Sequence, residues 1–180
     1  SSLAPGRARY GLMLSDDGLI LDDGVALRLA EHRWILSTST GHADAIGSHL
    51  EELLQTEYPD WQVFVTPVTG QWANATVCGP RARDVMHALG TDIDLSAEAL
   101  PFMSHAAGTV AGLPARVVRV SFTGELSFEI NVAPRDLPAL WEAVLAAGAS
   151  HGIVPVGSEA NHVLRVEKGF LSLGHEVDGT

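Results

Sequence analysis

Only one cysteine, Cys78, occurs in the 180 residues, so no intrachain disulfide can form; a reducing compartment, the cytoplasm, fits that usage. Cys78 ends an apolar run with no His or Asn beside it, and reads as a packed strand-end thiol rather than a nucleophile. Basic residues are scarce: eleven Lys and Arg stand against twenty-two Asp and Glu, giving a formal net charge of -11. A phosphate-backbone surface needs clustered cations, so nucleic acid drops out as a partner. No run of about 18 apolar residues exists. Arg7 and Arg9 are not followed by the apolar stretch of a signal peptide, so neither membrane insertion nor secretion is expected. Gly-rich loops of the nucleotide-binding kind are also missing, and flavin or nicotinamide would have to be held elsewhere. The eight histidines show no ligand-like grouping. His42 and His49 share a helix face but lie two turns, about 10 Å, apart, and no metal is expected.

What the chain does have is ordinary folding material. Apolar residues make up 46 % and charged residues 18 %, a profile far from disorder, at a length that buries a real core. Apolar runs at 10–14 and 19–21 flank an Asp-Gly turn and predict a hairpin; 25–29 and 34–39 predict a second antiparallel pair. Helical spacing of Ile46, Leu50, Leu53 and Leu54 predicts a helix over 42–58, ended by Pro59. Strands are expected at 61–67 and 71–78, then a helix after Pro80 carrying Val85, Met86 and Leu89. After a polar linker over 90–103, strands are expected at 108–110, 114–122 and 126–132. Helices follow from Pro134 to about 148 and over 157–168, the latter with Ala160, Val163 and Leu164 inward. This order predicts an α+β fold of two packed units, 1–100 and 101–180, rather than a doubly wound sheet. Motif-like density persists to the last residue, and a piece of a larger chain is expected.

Three stretches could carry chemistry. In Asp22-Asp23-Gly24-Val25, neighbouring strand side chains point to opposite faces, so at most one acid looks inward; a solvated turn is the plain alternative. In 122–130, Glu125 and Glu129 are four apart on an expected strand and share a face. Buried there, they are costly without donors, and a ring edge with paired N–H groups, such as an aminopyrimidine, would offset that cost; solvated strand glutamates are the alternative. In 164–180, Arg165 and Lys168 are three apart on a helix and could meet one anionic group, or serve as cations at a helix C-terminus.

Jointly, these stretches resemble the glycine cleavage T-protein superfamily of folate-dependent aminomethyltransferases. The likeness is closer to one branch, the C-terminal half of heterotetrameric sarcosine oxidase alpha subunits. Residues 9–14, 22–25, 54–57, 102–104, 121–129 and 165–169 carry it. The resemblance implies ferredoxin-like α+β halves around a tetrahydrofolate pocket, with flavin and NAD in other domains or subunits of a hetero-oligomeric oxidase. It implies transfer of a one-carbon unit, as imine or formaldehyde from sarcosine demethylation, to tetrahydrofolate, giving 5,10-methylenetetrahydrofolate. By the same matching Asp23 is the catalytic acid, stabilising positive charge beside the folate amines. Glu129, with Glu125 second, holds the pterin edge, and Arg165 steadies the ligand's anionic part. Ser127 stands where T-proteins usually have Gly, and with few tyrosines present Phe170 is either a ring for stacking or, the plainer reading, a core aromatic. The competing expectations are a non-catalytic scaffold that docks partner subunits and a stand-alone aminomethyltransferase.

Overall fold

The computed structural model describes residues 2–178. The opening apolar runs form a meander in which β2 (Ile20–Ala30) lies antiparallel between β1 (Ala8–Leu14) and β3 (Arg33–Leu36). Residues 25–29, expected to open a second pair, instead continue β2, so one 11-residue strand serves both neighbours. Gly24 makes this close approach feasible, because a Cβ there would lie 1.8 Å from the carbonyl oxygen of Ser37. Only a residue without a side chain lets the chain after β3 run that near the strand. Helix α1 (Ala43–Thr56) follows and buries Ile46.

The strand expected at 61–67 does not form. Trp61 donates its backbone N–H to Tyr58 O at 3.0 Å and stacks on the Tyr58 ring, and Phe64 is 92 % exposed. Among the described residues no strand offers this segment a ladder, and β-favouring side chains do not hold a strand without one.

A second, four-stranded antiparallel sheet has the order β4 (Ala73–Cys78), β7 (Ser127–Val132), β6 (Leu113–Arg119), β5 (Ser104–Val110). Strand β5 starts at Ser104 rather than 108 because Arg7 and Ser104 form a bridge that ties it to the chain entering β1. Strand β4 and α2 (Ala82–Leu89), from the first hundred residues, share this sheet and its core with β5, β6 and β7. One face of the sheet carries Val77, Val117, Phe128, Ile130 and Val132 and packs under α2 and α3 (Leu137–Gly148) through Met86, Leu140 and Val144. Full burial of such a side chain stabilises the fold by roughly 1.5–3 kcal/mol.

The opposite face presents Val118 and Val120 to the three-stranded sheet, where Ala8 and Leu27 meet them with Val25, Leu29 and Ile35 alongside. The two sheets therefore face each other. Helix α4 (Ser158–Lys168) turns a different side inward from the one expected: Ala160 and Val163 are exposed, Leu164 is half-buried and Arg165 is buried. The charged residue wins the inward place because it finds its partner within the chain, as shown below.

Candidate functional site

Strand alternation sorts the two adjacent acids. Asp23 shares the face of β2 that carries Val25 and Leu27, the face turned toward the second sheet. It is half-buried and accepts a hydrogen bond from the Tyr10 hydroxyl at 2.8 Å. Partial burial, then the Asp23 hydrogen bond and the Asp23 charge, push the Tyr10 hydroxyl up to about 12, so it stays protonated and donates. Asp22 points the other way and is fully buried. Its Oδ2 accepts the Ser39 backbone N–H at 2.9 Å, and its Oδ1 has no hydrogen-bond partner and lies 3.8 Å from His42 Nδ1. Together with the bond from Val25 N–H to Ser37 Oγ at 2.9 Å, this pins residues 37–42 against β2.

Glu129 sits in mid-strand on β7, paired with Thr76 on one side and Val118 on the other. Directly opposed residues of an antiparallel pair share a face. Glu129 thus lies beside Val118, on the sheet surface turned toward β2. It is half-buried and its side chain has no hydrogen-bond or ion-pair partner among the described residues. Burial alone raises its pKa. Thr76 and Asn74 continue this polar stripe: Thr76 Oγ1 donates to Asn74 Oδ1 at 2.9 Å, and Asn74 Nδ2 donates to Asn131 Oδ1 at 3.3 Å. Asp23 and Glu129 therefore occupy facing surfaces of the two sheets, with the Val118 and Leu27 contact between those surfaces.

Glu125 does not share that face. Strand β7 begins only at Ser127, and Glu125 lies exposed on the preceding bend. The bend is held by Gly124, at φ 79°, where a Cβ would fall 2.3 Å from Lys168 Cγ. The Lys168 stem thus lies over the bend rather than reaching out beside Arg165. Arg165 is 2 % exposed. Its Nη1 donates to Phe170 O at 2.9 Å and to the Glu176 carboxylate, while its Nε has no partner among the described residues. Glu176 also accepts the Ser172 backbone N–H at 2.9 Å, and the Arg165 hydrogen bond, followed by the Ser172 one, lowers its pKa. The guanidinium that the sequence offers for an anionic ligand is engaged inside the chain.

Sequence reading missed Tyr10 as the Asp23 partner, Asp22 as a buried anchor and Glu176 as the Arg165 counter-ion. Tyr10 could have been found from the hairpin register, which sets it diagonally across from Asp23. Among the described residues no group of three or more His, Cys, Asp or Glu converges as metal ligands. No helix among them is long and apolar enough to cross a membrane.

Two facing sheets, one backed by helices, define the class. The structure superposes on the glycine cleavage system aminomethyltransferase T of Bartonella henselae with a TM-score of 0.78 and 29 % identity, over 98 % of this chain and 44 % of that one. Residues 1–180 match the GCVT N-terminal domain model, and the chain belongs to that family. Within it, the chain is 48 % identical over 181 residues to the sarcosine oxidase subunit alpha of Corynebacterium sp. strain P-1, covering all of this chain and 19 % of that subunit. It is 39 % identical to the Rhizobium meliloti subunit and 35 % identical to the aminomethyltransferase of Streptomyces avermitilis, of which it covers 46 %. The heterotetrameric sarcosine oxidase of Corynebacterium sp. U-96 shares the fold, with a TM-score of 0.60 at 16 % identity. The chain thus spans about a fifth of the alpha subunits and under half of the aminomethyltransferases it matches.

Proposed function

We propose that the facing surfaces of the two sheets bind a reduced folate, and that the chain is the folate-binding part of a sarcosine oxidase alpha subunit or a close relative. The observation that carries this reading is Glu129: a half-buried carboxylate with no donor among the described residues, on the surface facing Asp23. A carboxylate so placed suits a ligand edge with two parallel N–H donors, as an aminopyrimidine ring presents. Ionised Glu129 would hold that edge. Asp23, oriented by the Tyr10 hydroxyl, would stabilise positive charge developing at the folate amines.

When bound, tetrahydrofolate supplies the amines that take up a one-carbon unit as 5,10-methylenetetrahydrofolate. On this reading the unit arrives as imine or formaldehyde from sarcosine demethylation at a flavin held by another domain or subunit. The higher identity to alpha subunits, 48 % against 35 % for an aminomethyltransferase, favours this over a stand-alone aminomethyltransferase. Titration calorimetry with 5-formyltetrahydrofolate tests it on the full chain. Glu129→Gln should weaken binding at least tenfold. Asp23→Asn should leave binding nearly intact while lowering formaldehyde capture by tetrahydrofolate. No binding to the wild type, or equal binding to Glu129→Gln, would instead support a scaffold that docks partner subunits.

A further inference from the structure

Arg116 is the cation the chain leaves unanswered on the surface that carries Glu129. It pairs with Asn131 across β6 and β7, two residues along from the Val118 and Glu129 pair, so it shares their face and lies diagonally across from Glu129. Its side chain is half-buried, and its Nε is shielded from solvent with no hydrogen-bond partner among the described residues. No acid among the described residues forms an ion pair with it, although the chain carries twice as many acids as bases. Burial, and after it the charge of Arg33, an exposed residue that alternates with Ile35 along β3, lowers the Arg116 pKa. His105, on the neighbouring strand, engages the Arg28 carbonyl at 3.0 Å through Nε2 and offers no negative charge. The guanidinium is held over the Trp72 ring, 5.1 Å from its centroid, which fixes its place without neutralising it.

A half-buried guanidinium with no ion-pair partner among the described residues is costly to hold charged, and a bound anion would offset that cost. We infer that Arg116, backed by Arg33 and seated on Trp72, is a carboxylate-binding site. Resting on the folate reading, the group it takes is the glutamate arm of the ligand whose ring lies at Glu129. This assigns to Arg116 the task that sequence alone gave to Arg165, whose guanidinium is occupied by Glu176. A planar fork over a ring matches the two oxygens of a carboxylate, a fit that Lys does not reproduce. Because Arg116 and Glu129 are close neighbours on the sheet, a ligand spanning both must bend between ring and arm.

Titration calorimetry on the full chain tests the site with the two halves of the ligand taken separately. p-Aminobenzoylglutamate carries the arm without the ring, tetrahydropterin the ring without the arm, and acetate serves as a simple carboxylate. p-Aminobenzoylglutamate should bind the wild type in a salt-sensitive manner, at least tenfold more weakly to Arg116→Gln, more weakly to Arg33→Gln, and only partly recovered in Arg116→Lys. Tetrahydropterin should bind wild type and Arg116→Gln alike and lose affinity with Glu129→Gln. Acetate competing with the arm in the wild type but not in Arg116→Gln would support a general carboxylate site. Equal affinity of p-aminobenzoylglutamate for wild type and both arginine variants overturns the inference, while the folate reading survives if tetrahydropterin still depends on Glu129. No binding of either half to the wild type overturns both.

Discussion

The Tyr10 hydroxyl donates to Asp23 Oδ2 at 2.8 Å across the β1 and β2 pair. The bond joins the residue beside the sheet interface to the acid that faces it, and it fixes the Asp23 carboxylate in one orientation. Tyr10→Phe removes that donor and leaves the ring. Because Tyr10 is 46 % exposed, the stability cost should be small, about 1 kcal/mol or less. One-carbon transfer to tetrahydrofolate should fall about tenfold, while affinity for 5-formyltetrahydrofolate changes by less than about threefold, since one charge-assisted bond orients rather than binds. Steady-state kinetics set beside calorimetry check this; equal losses in both would place Tyr10 in ligand binding.

Glu129 gives a pH signature. Burial raises its folded-state pKa above its unfolded value, so ionisation opposes folding. That penalty is absent below the unfolded pKa of about 4.5 and grows as pH rises through the folded pKa. Glu129→Gln should therefore melt higher than wild type near pH 7.5, with the gap closing as pH falls below about 4.5. Folate affinity should move oppositely, weakening in the wild type as Glu129 takes up its proton. Thermal melts across pH check the first part, and a gap independent of pH would contradict it.

Gly24 is a steric requirement. A Cβ 1.8 Å from Ser37 O cannot be relieved by a flexible side chain, because the atom it meets is backbone. Gly24→Ala should cost at least about 2 kcal/mol in urea unfolding and should lower formaldehyde capture by tetrahydrofolate by shifting Asp23. A loss within about 0.5 kcal/mol would show that residues 37–42 can move away from β2 freely.

The Arg165 and Glu176 pair should act on the fold rather than on the ligand. Glu176 has a lowered pKa, so its contribution is present above its unfolded value and fades as pH falls through the folded one. Glu176→Gln should reduce the melting temperature at neutral pH, and the difference should shrink below about pH 4.5. Affinity for 5-formyltetrahydrofolate should stay within about twofold of wild type. A large gain in affinity would mean that Glu176 competes with the ligand for Arg165.

The order of elements was legible wherever side-chain period and turn chemistry agreed, as at the hairpin closed by Gly18 and at α2, whose Val85 and Met86 are buried as their spacing requires. Residues 61–67 misled because their composition favours strand but a ladder needs a neighbour, which no local pattern reveals. The Asp22 and Asp23 doublet announced at most one inward acid, yet Asp22 is fully buried under residues 37–42 while Asp23 is half-buried on the side of the second sheet, because both faces of β2 are covered. Glu129 could be marked as a half-buried strand acid, whereas Glu125 fell off the face because the strand starts later than its alternation suggested. Arg165 looked free because its counter-ion, Glu176, returns only through a turn after the helix. Arg116 gave no local signal, since what distinguishes it is the missing partner across two sheets.

The most direct test is a crystal structure of the full chain with 5-formyltetrahydrofolate. The amino edge of the pteridine is expected within hydrogen-bond distance of the Glu129 carboxylate, between the two sheets, with Asp23 on the side of the reactive amines. A ligand bound elsewhere, or a pteridine edge met by other groups while Glu129 faces water, would contradict the account.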